Sequence, residues 1–147
     1  VNVQYATFLK GLTRRLNLQK HVIFTGLVSS SEKELWYWAA DLVLHTSEYE
    51  AFCRPAIEAW AHLTPIVAFN LGPATDFIEK HGGGRVVPTW GDYKEMAKIV
   101  IDIMSKHENS IMGKRGWEAV KRYYEWNKII REYLKVYRLA MELRCKC

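Results

Sequence analysis

The sequence predicts an α/β domain, a parallel sheet with helices on both faces, and three observations carry that expectation. Short, nearly continuous apolar runs such as "DLVLH" and "PIVAF" fit strands covered on both sides better than half-exposed ones. Amphipathic stretches of helical period alternate with those runs, as in a chain of βαβ units. Capping residues, glycines and prolines fall at the junctions between the two kinds of segment.

Taken in order, "YATFLKGLTRRLNL" places Phe8, Leu9, Leu12 and Leu16 on one helical stripe. "HVIFTG" reads as a first buried strand ended by Gly26. "SSEKELWYWAA" opens a helix, with Ser31 and Glu34 as its capping box and Leu35, Trp38, Ala39 and Leu42 on one side. "DLVLHTS" is the second strand. A helix then starts at Pro55, where the missing N–H is harmless. "PIVAFN" is the third strand, entered at a proline that a first strand position tolerates. "PATDFIEKH" is a short helix and "GGGRVVP" leads into a fourth strand. Asp92 and Glu95 form a second capping box before Met96, Ile99, Val100, Ile103 and Met104. The last helix, roughly 126–143, carries Trp126, Ile130, Tyr133, Leu134, Tyr137 and Met141 on one face, expected to pack in the core or against another domain. The order α-β-α-β-α-β-α-β-α-α is that of a doubly wound, Rossmann-like domain, in which ligands sit beyond the carboxyl ends of the strands near a switch in strand order.

At 147 residues the chain is expected to be a single domain, 1–147, long enough to bury roughly two-thirds of its extended surface. Six Trp and eight Tyr exceed what such a core needs, so some should line an interface or a ligand site. The net charge of +5 concentrates near the C-terminus, but there the bases alternate with Glu and aromatic residues at helical spacing. With no RNA-binding signature beside the charge, nucleic acid is not an expected partner. Three cysteines, Cys53, Cys145 and Cys147, form no even framework, and no cluster has metal-ligand spacing. A reducing compartment and no resident metal follow. No signal peptide and no apolar run of about 18 residues is visible. The expected location is cytoplasmic, with association at the cytoplasmic membrane face left open. Because the chain begins at Val1 rather than Met, it is expected to be a fragment or a trimmed piece.

The stretch "SEYEAFCRPAIEAW" follows the second strand and holds two acids, Glu50 in the loop and Glu58 expected in the first turn of the next helix. Free N–H groups and the dipole at that helix start favour an anion such as a phosphate. A carboxylate just inside the helix suits vicinal hydroxyls, and one in the loop suits the hydroxyls of an attached sugar. Set against this, acids at helix starts also stabilise helices without any chemistry.

The wider segment "TSEYEAFCRPAIEAWAHLTPIVAFNLG" resembles the donor-binding signature of retaining glycosyltransferases of the two-domain GT-B architecture, the glycosyl transferases group 1. In that signature, Ser-x-x-Glu-Gly-Phe-Gly-x-Pro-x-x-Glu-Ala-x-Ala-x-Gly-x-Pro-Val-Val, Ser47, Glu50, Phe52, Pro55, Glu58, Ala59, Ala61, Pro65 and Val67 fall in register. The similarity runs from His21 to the C-terminal helix, which in the family often starts at a Trp. The resemblance implies a partial C-terminal half of a GT-B fold and a UDP- or GDP-linked sugar as substrate, with no cofactor. Glu50 would be catalytic, lying against the donor sugar and steadying charge at its anomeric carbon. Glu58 would hold the ribose hydroxyls. Backbone N–H groups around Ala51, Phe52 and Cys53 would meet sugar or diphosphate, Arg54 is a weaker candidate phosphate partner, and the Gly26 loop would lie beside the base. The acceptor, a glycan or a lipid-linked sugar, is not readable.

The match departs at glycines: Ala51, Cys53 and Leu63 stand at family glycine positions, and Gly72-Pro73-Ala74-Thr75-Asp76 replaces Gly-Gly-x-x-Glu. Side chains there are expected to narrow the site, change the donor or mark its decay. The family's two further N-terminal strands, with an Arg and a Lys on the diphosphate, and its acceptor domain are not in the sequence, so the chain is not expected to complete transfer alone. A non-catalytic Rossmann-like module that docks a partner through its last helix is the second reading. "HGGG" at 81–84 resembles a hydrolase oxyanion loop, but no Gly-x-Ser-x-Gly elbow accompanies it. His45 and His62 read as packed or solvent-facing histidines rather than general bases.

Overall fold

The computed structural model describes residues 3–144. The chain divides into two compact units, the first ending at Lys33 and the second beginning at Glu34, a boundary that falls inside one helix.

The first unit carries α1 (Val3–Arg15), none of whose residues is buried. The expected strand at 21–26 does not form, and Ile23 is largely exposed. A strand needs a neighbour for its backbone groups, and no described strand pairs with this run. The helix that follows, α2 (Ser30–Ala39), is capped two residues earlier than the sequence suggested. Ser29 Oγ accepts the Glu32 N–H (3.2 Å), while the Ser29 N–H donates to Glu32 Oε2 (3.0 Å). That backbone N–H, and then the Ser29 hydroxyl donating to the same oxygen at 3.0 Å, hold the Glu32 carboxyl below its usual range.

The second unit is a three-stranded parallel sheet in the order β1 (Val43–His45), β2 (Ile66–Phe69), β3 (Gly84–Val87). His45 pairs with Ala68, and Ile66 through Phe69 pair with Gly84 through Val87. Strand β2 is buried along its whole length, and its side chains alternate between two cores. Ile66 and Ala68 join Ala56 and Trp60 of α3 (Arg54–Ala61), Ile78 of α4 (Pro73–His81) and Ala119 of α6 (Asn109–Ala119). Val67 and Phe69 face the other way, against Val87, Met96 and Ile103 of α5 (Tyr93–Ser105), and Met112 of α6. Helices therefore cover both faces, as expected of continuous apolar strands. Each large side chain buried in β2 contributes about 1.5–3 kcal/mol. Pro65 ahead of β2 lacks an N–H, but its carbonyl accepts the Val43 N–H at 2.9 Å.

Asp92 caps α5 as expected, accepting the Glu95 N–H at 2.9 Å. The reciprocal arm is diverted, because the Glu95 carboxylate pairs with Lys98 instead. The sequence reading missed α6 altogether. Its Gly113 and Gly116 break the apolar periodicity, and both are there for close approach. A Cβ on Gly113 would fall 1.8 Å from the Leu63 carbonyl oxygen, and one on Gly116 would fall 2.4 Å from the Trp60 ring. A π-helical segment (Val120–Tyr124) then leads to α7 (Trp126–Arg144). No residue of α7 is buried, so its aromatic face is not core.

Candidate functional site

Strand β1 ends at His45, and the chain runs through residues 46–53 to the start of α3, which places the two acids beyond the carboxyl end of the sheet. The strand order β1-β2-β3 contains no reversal, so this end is defined by the strand tips and not by a switch point within the described sheet.

Glu58 is the fifth residue of α3, in its second turn rather than its first. That position removes the bland account of an acid stabilising a helix start, since such effects fall off within the first turn. Its carboxylate is half-buried, and the Tyr37 hydroxyl donates to Oε2 at 3.0 Å. Tyr37 is itself fixed at three points. Its carbonyl accepts from Thr64 Oγ1 at 2.7 Å, and the His62 ring stacks on its ring at 5.7 Å. The third is the bond to Glu58. Burial first, and then the Glu58 carboxylate, push the Tyr37 phenol up to about 12, so at neutral pH it is a donor.

Glu50 is the half-buried acid of the loop, and its Oε1 lies 3.1 Å from Nε2 of His45. The approach lacks hydrogen-bond alignment, and Nε2 has no other partner among the described residues. Of the two readings the sequence left open, packed or solvent-facing, His45 is the packed one, yet its one ion-pair approach among the described residues is to a site acid.

Between the two acids, no described residue accepts the backbone N–H groups of Ala51, Phe52 or Cys53. Cys53 is fully buried in the core, and burial pushes its thiol up to about 11. Neither Ala51 nor Cys53 has a left-handed backbone, and Cys53 sits at φ −69°. The side chain that replaces a glycine hydrogen at residue 53 therefore points into the protein and does not wall off the loop. Leu63 is the replacement that does need a left-handed backbone, at φ +62°. Phe52 is partly exposed and stacks on Phe77 (centroids 5.5 Å apart), with Tyr124 6.1 Å away, giving the loop an aromatic floor. Arg54 is exposed at the first position of α3 and makes no ion pair with a described residue. Gly26 belongs to the first unit, where its φ of +69° fits a tight turn.

The described residues contain no cluster of three or more His, Cys, Asp or Glu side chains able to hold a metal. No described helix is long and apolar enough to cross a membrane.

The sequence from residue 2 to residue 117 matches the family described as glycosyl transferases group 1, a span that includes both acids, His45 and Tyr37. The chain belongs to this family. Its sheet is a partial GT-B-like domain corresponding to the C-terminal, donor-binding half of that architecture. Among solved glycosyltransferase structures, sucrose-phosphate synthase from Thermosynechococcus elongatus superimposes with a TM-score of 0.83 at 28% identity, covering 92% of this chain and 34% of that one. The C-terminal domain of a glycosyl transferase group 1 family protein from Francisella tularensis shares the fold, with a TM-score of 0.76, 24% identity and coverage of 85% and 65%. A GDP-mannose-dependent alpha-mannosyltransferase of Corynebacterium glutamicum is 29% identical over 116 residues, 78% of this chain and 28% of that protein. The chain spans about a third of the length of the curated relatives it matches. Helix α7 lies beyond the family match.

Within this glycosyltransferase domain, sequence reading found the two acids but missed what holds them. His45 and Tyr37 carry no motif of their own. The only available signal was position: one ends the strand before the loop, and the other lies on the helix before that strand.

Proposed function

We propose that this chain is the donor-binding domain of a retaining glycosyltransferase that takes a hexose from a UDP- or GDP-linked sugar. The observation that carries the reading is the pair of half-buried acids, Glu50 and Glu58, each against its own partner, flanking three backbone N–H groups that no described residue accepts. In this reading the N–H groups of Ala51, Phe52 and Cys53 meet the diphosphate at the start of α3, with the helix dipole adding to them. The Glu58 carboxylate, held through one oxygen by Tyr37, accepts from the ribose hydroxyls. Glu50 lies against the sugar and steadies positive charge that develops at its anomeric carbon as the bond to the diphosphate lengthens. Family membership supports this, as do relatives named for a GDP-mannose donor and for sucrose-phosphate synthesis.

The glycine replacements are one of the two arguments for a non-catalytic descendant, beside the N-terminal half not being in the sequence. The glycine argument weakens, because Cys53 turns its side chain inward and Ala51 has an ordinary backbone. The test is thermal unfolding with UDP, GDP, UDP-glucose and GDP-mannose. At a hundredfold excess over the dissociation constant, a bound ligand adds about 2.7 kcal/mol, a shift of several degrees. At least one ligand should give that shift, and Glu58→Ala should remove it. No shift with any of the four sinks the reading. Since the resemblance puts the acceptor site in another domain, these 147 residues are expected to bind donor without transferring sugar to an acceptor.

A further inference from the structure

Residues 46–51, between β1 and α3, make no hydrogen bond with any described residue, and Tyr49 in their midst is 83% exposed. Glu50 is nonetheless drawn inward, its side chain 24% exposed against a His45 side chain that is 10% exposed. Among the described residues the 3.1 Å approach to His45 Nε2 is the only ion pair or hydrogen-bond contact that Glu50 makes. The imidazole has the matching need, since Nε2 is buried without an aligned partner. A ring nitrogen left that way is costly, and the Glu50 carboxylate lies 3.1 Å from it. His45 is itself immobilised as the last residue of β1, in register with Ala68 of the fully buried β2. A rigid strand tip therefore sets the position of an acid on an otherwise untied loop.

We propose that His45 is the positioning residue for Glu50, its imidazole holding the loop carboxylate toward the sugar half of a bound nucleotide sugar. The proposal rests on the donor-site reading above and adds a division of labour to it. Glu58, Tyr37 and the loop N–H groups serve the nucleotide half, while His45 acts only on the sugar half, through Glu50. A residue that merely stabilised the fold would weaken both halves alike.

Calorimetric titration of the chain with UDP, GDP, UDP-glucose and GDP-mannose separates these cases. His45→Ala should weaken the nucleotide sugar that the wild type binds by about tenfold, and the matching nucleoside diphosphate by less than about twofold. His45→Gln, whose amide N–H reaches the place of Nε2, should recover most of the loss. Equal weakening of both ligands, or a Gln variant no better than Ala, overturns the positioning role and leaves the donor site standing. A wild-type chain that binds none of the four overturns both. If His45→Ala does not fold, Glu50→Gln decides: it should show the same sugar-selective loss, and adding His45→Gln to it should bring no further loss. An additive further loss overturns the proposal.

Discussion

Leu63 takes up a left-handed backbone, φ +62°, at a position where the family signature carries glycine. An L-residue in that conformation costs about 1–2 kcal/mol, and glycine gives back part of the relief through its looser unfolded state. Leu63→Gly should stabilise the chain by about 0.5–1 kcal/mol, read as a rise of about 2 °C or more in unfolding midpoint. Cys53, also at a glycine position, belongs to the core instead, with its thiol raised to about 11. In a Cys145→Ser/Cys147→Ser variant, a thiol reagent at neutral pH should find no reactive group until the chain is unfolded, and then one. Tyr37→Phe removes a single hydroxyl from the Glu58 clamp. It should lower stability by about 1 kcal/mol and weaken nucleotide binding by severalfold, both measurable by urea unfolding and calorimetry. Folded Tyr37 keeps its proton to about pH 12 while an unfolded tyrosine loses it near pH 10. Its contribution is therefore complete below about pH 10 and declines as the pH rises toward 12, a decline the Phe variant should lack.

Among the elements, α6 tests the packing most sharply. Its two glycines let it approach the Leu63 carbonyl and the Trp60 indole, whose Nε1 also donates to the Gly83 carbonyl at 2.8 Å. Gly113→Ala forces a backbone atom to move and should cost about 3 kcal/mol or more, while Gly116→Ala, against a buried ring, should cost somewhat less. Denaturant midpoints will rank them. The same contact explains why α6 was illegible in the sequence: helical periodicity reports apolar side chains, and here the packing surface is their absence. Strand β2 was legible because Ile66 to Phe69 are apolar on both faces, a local property of the chain. Residues 21–26 look just as strand-like, but a ladder depends on a neighbour that no local pattern guarantees. The site divides the same way. Glu50 and Glu58 could be found by spacing, whereas His45 against Glu50 and Tyr37 against Glu58 are contacts that only the fold creates.

At the scale of the whole molecule, the parallel sheet with its two cores is continuous from β1 through α6, and the site rides on one edge of it. Helix α7 stands apart. None of its nineteen residues is buried, and its tie to the described residues runs through the turn around Glu125 and Lys128. In proteins most helical stability comes from packing of an apolar face, and α7 has no buried residue to supply it. In the chain by itself, amide exchange along α7 should be orders of magnitude faster than along β2, and a far-ultraviolet melt should lose helix before the near-ultraviolet tryptophan signal of Trp60 collapses. Equal protection in both places would contradict that. Nineteen residues with no buried side chain make a spring that packing within the described residues leaves slack: whatever settles on that flank would supply order there and register its arrival as newly frozen turns.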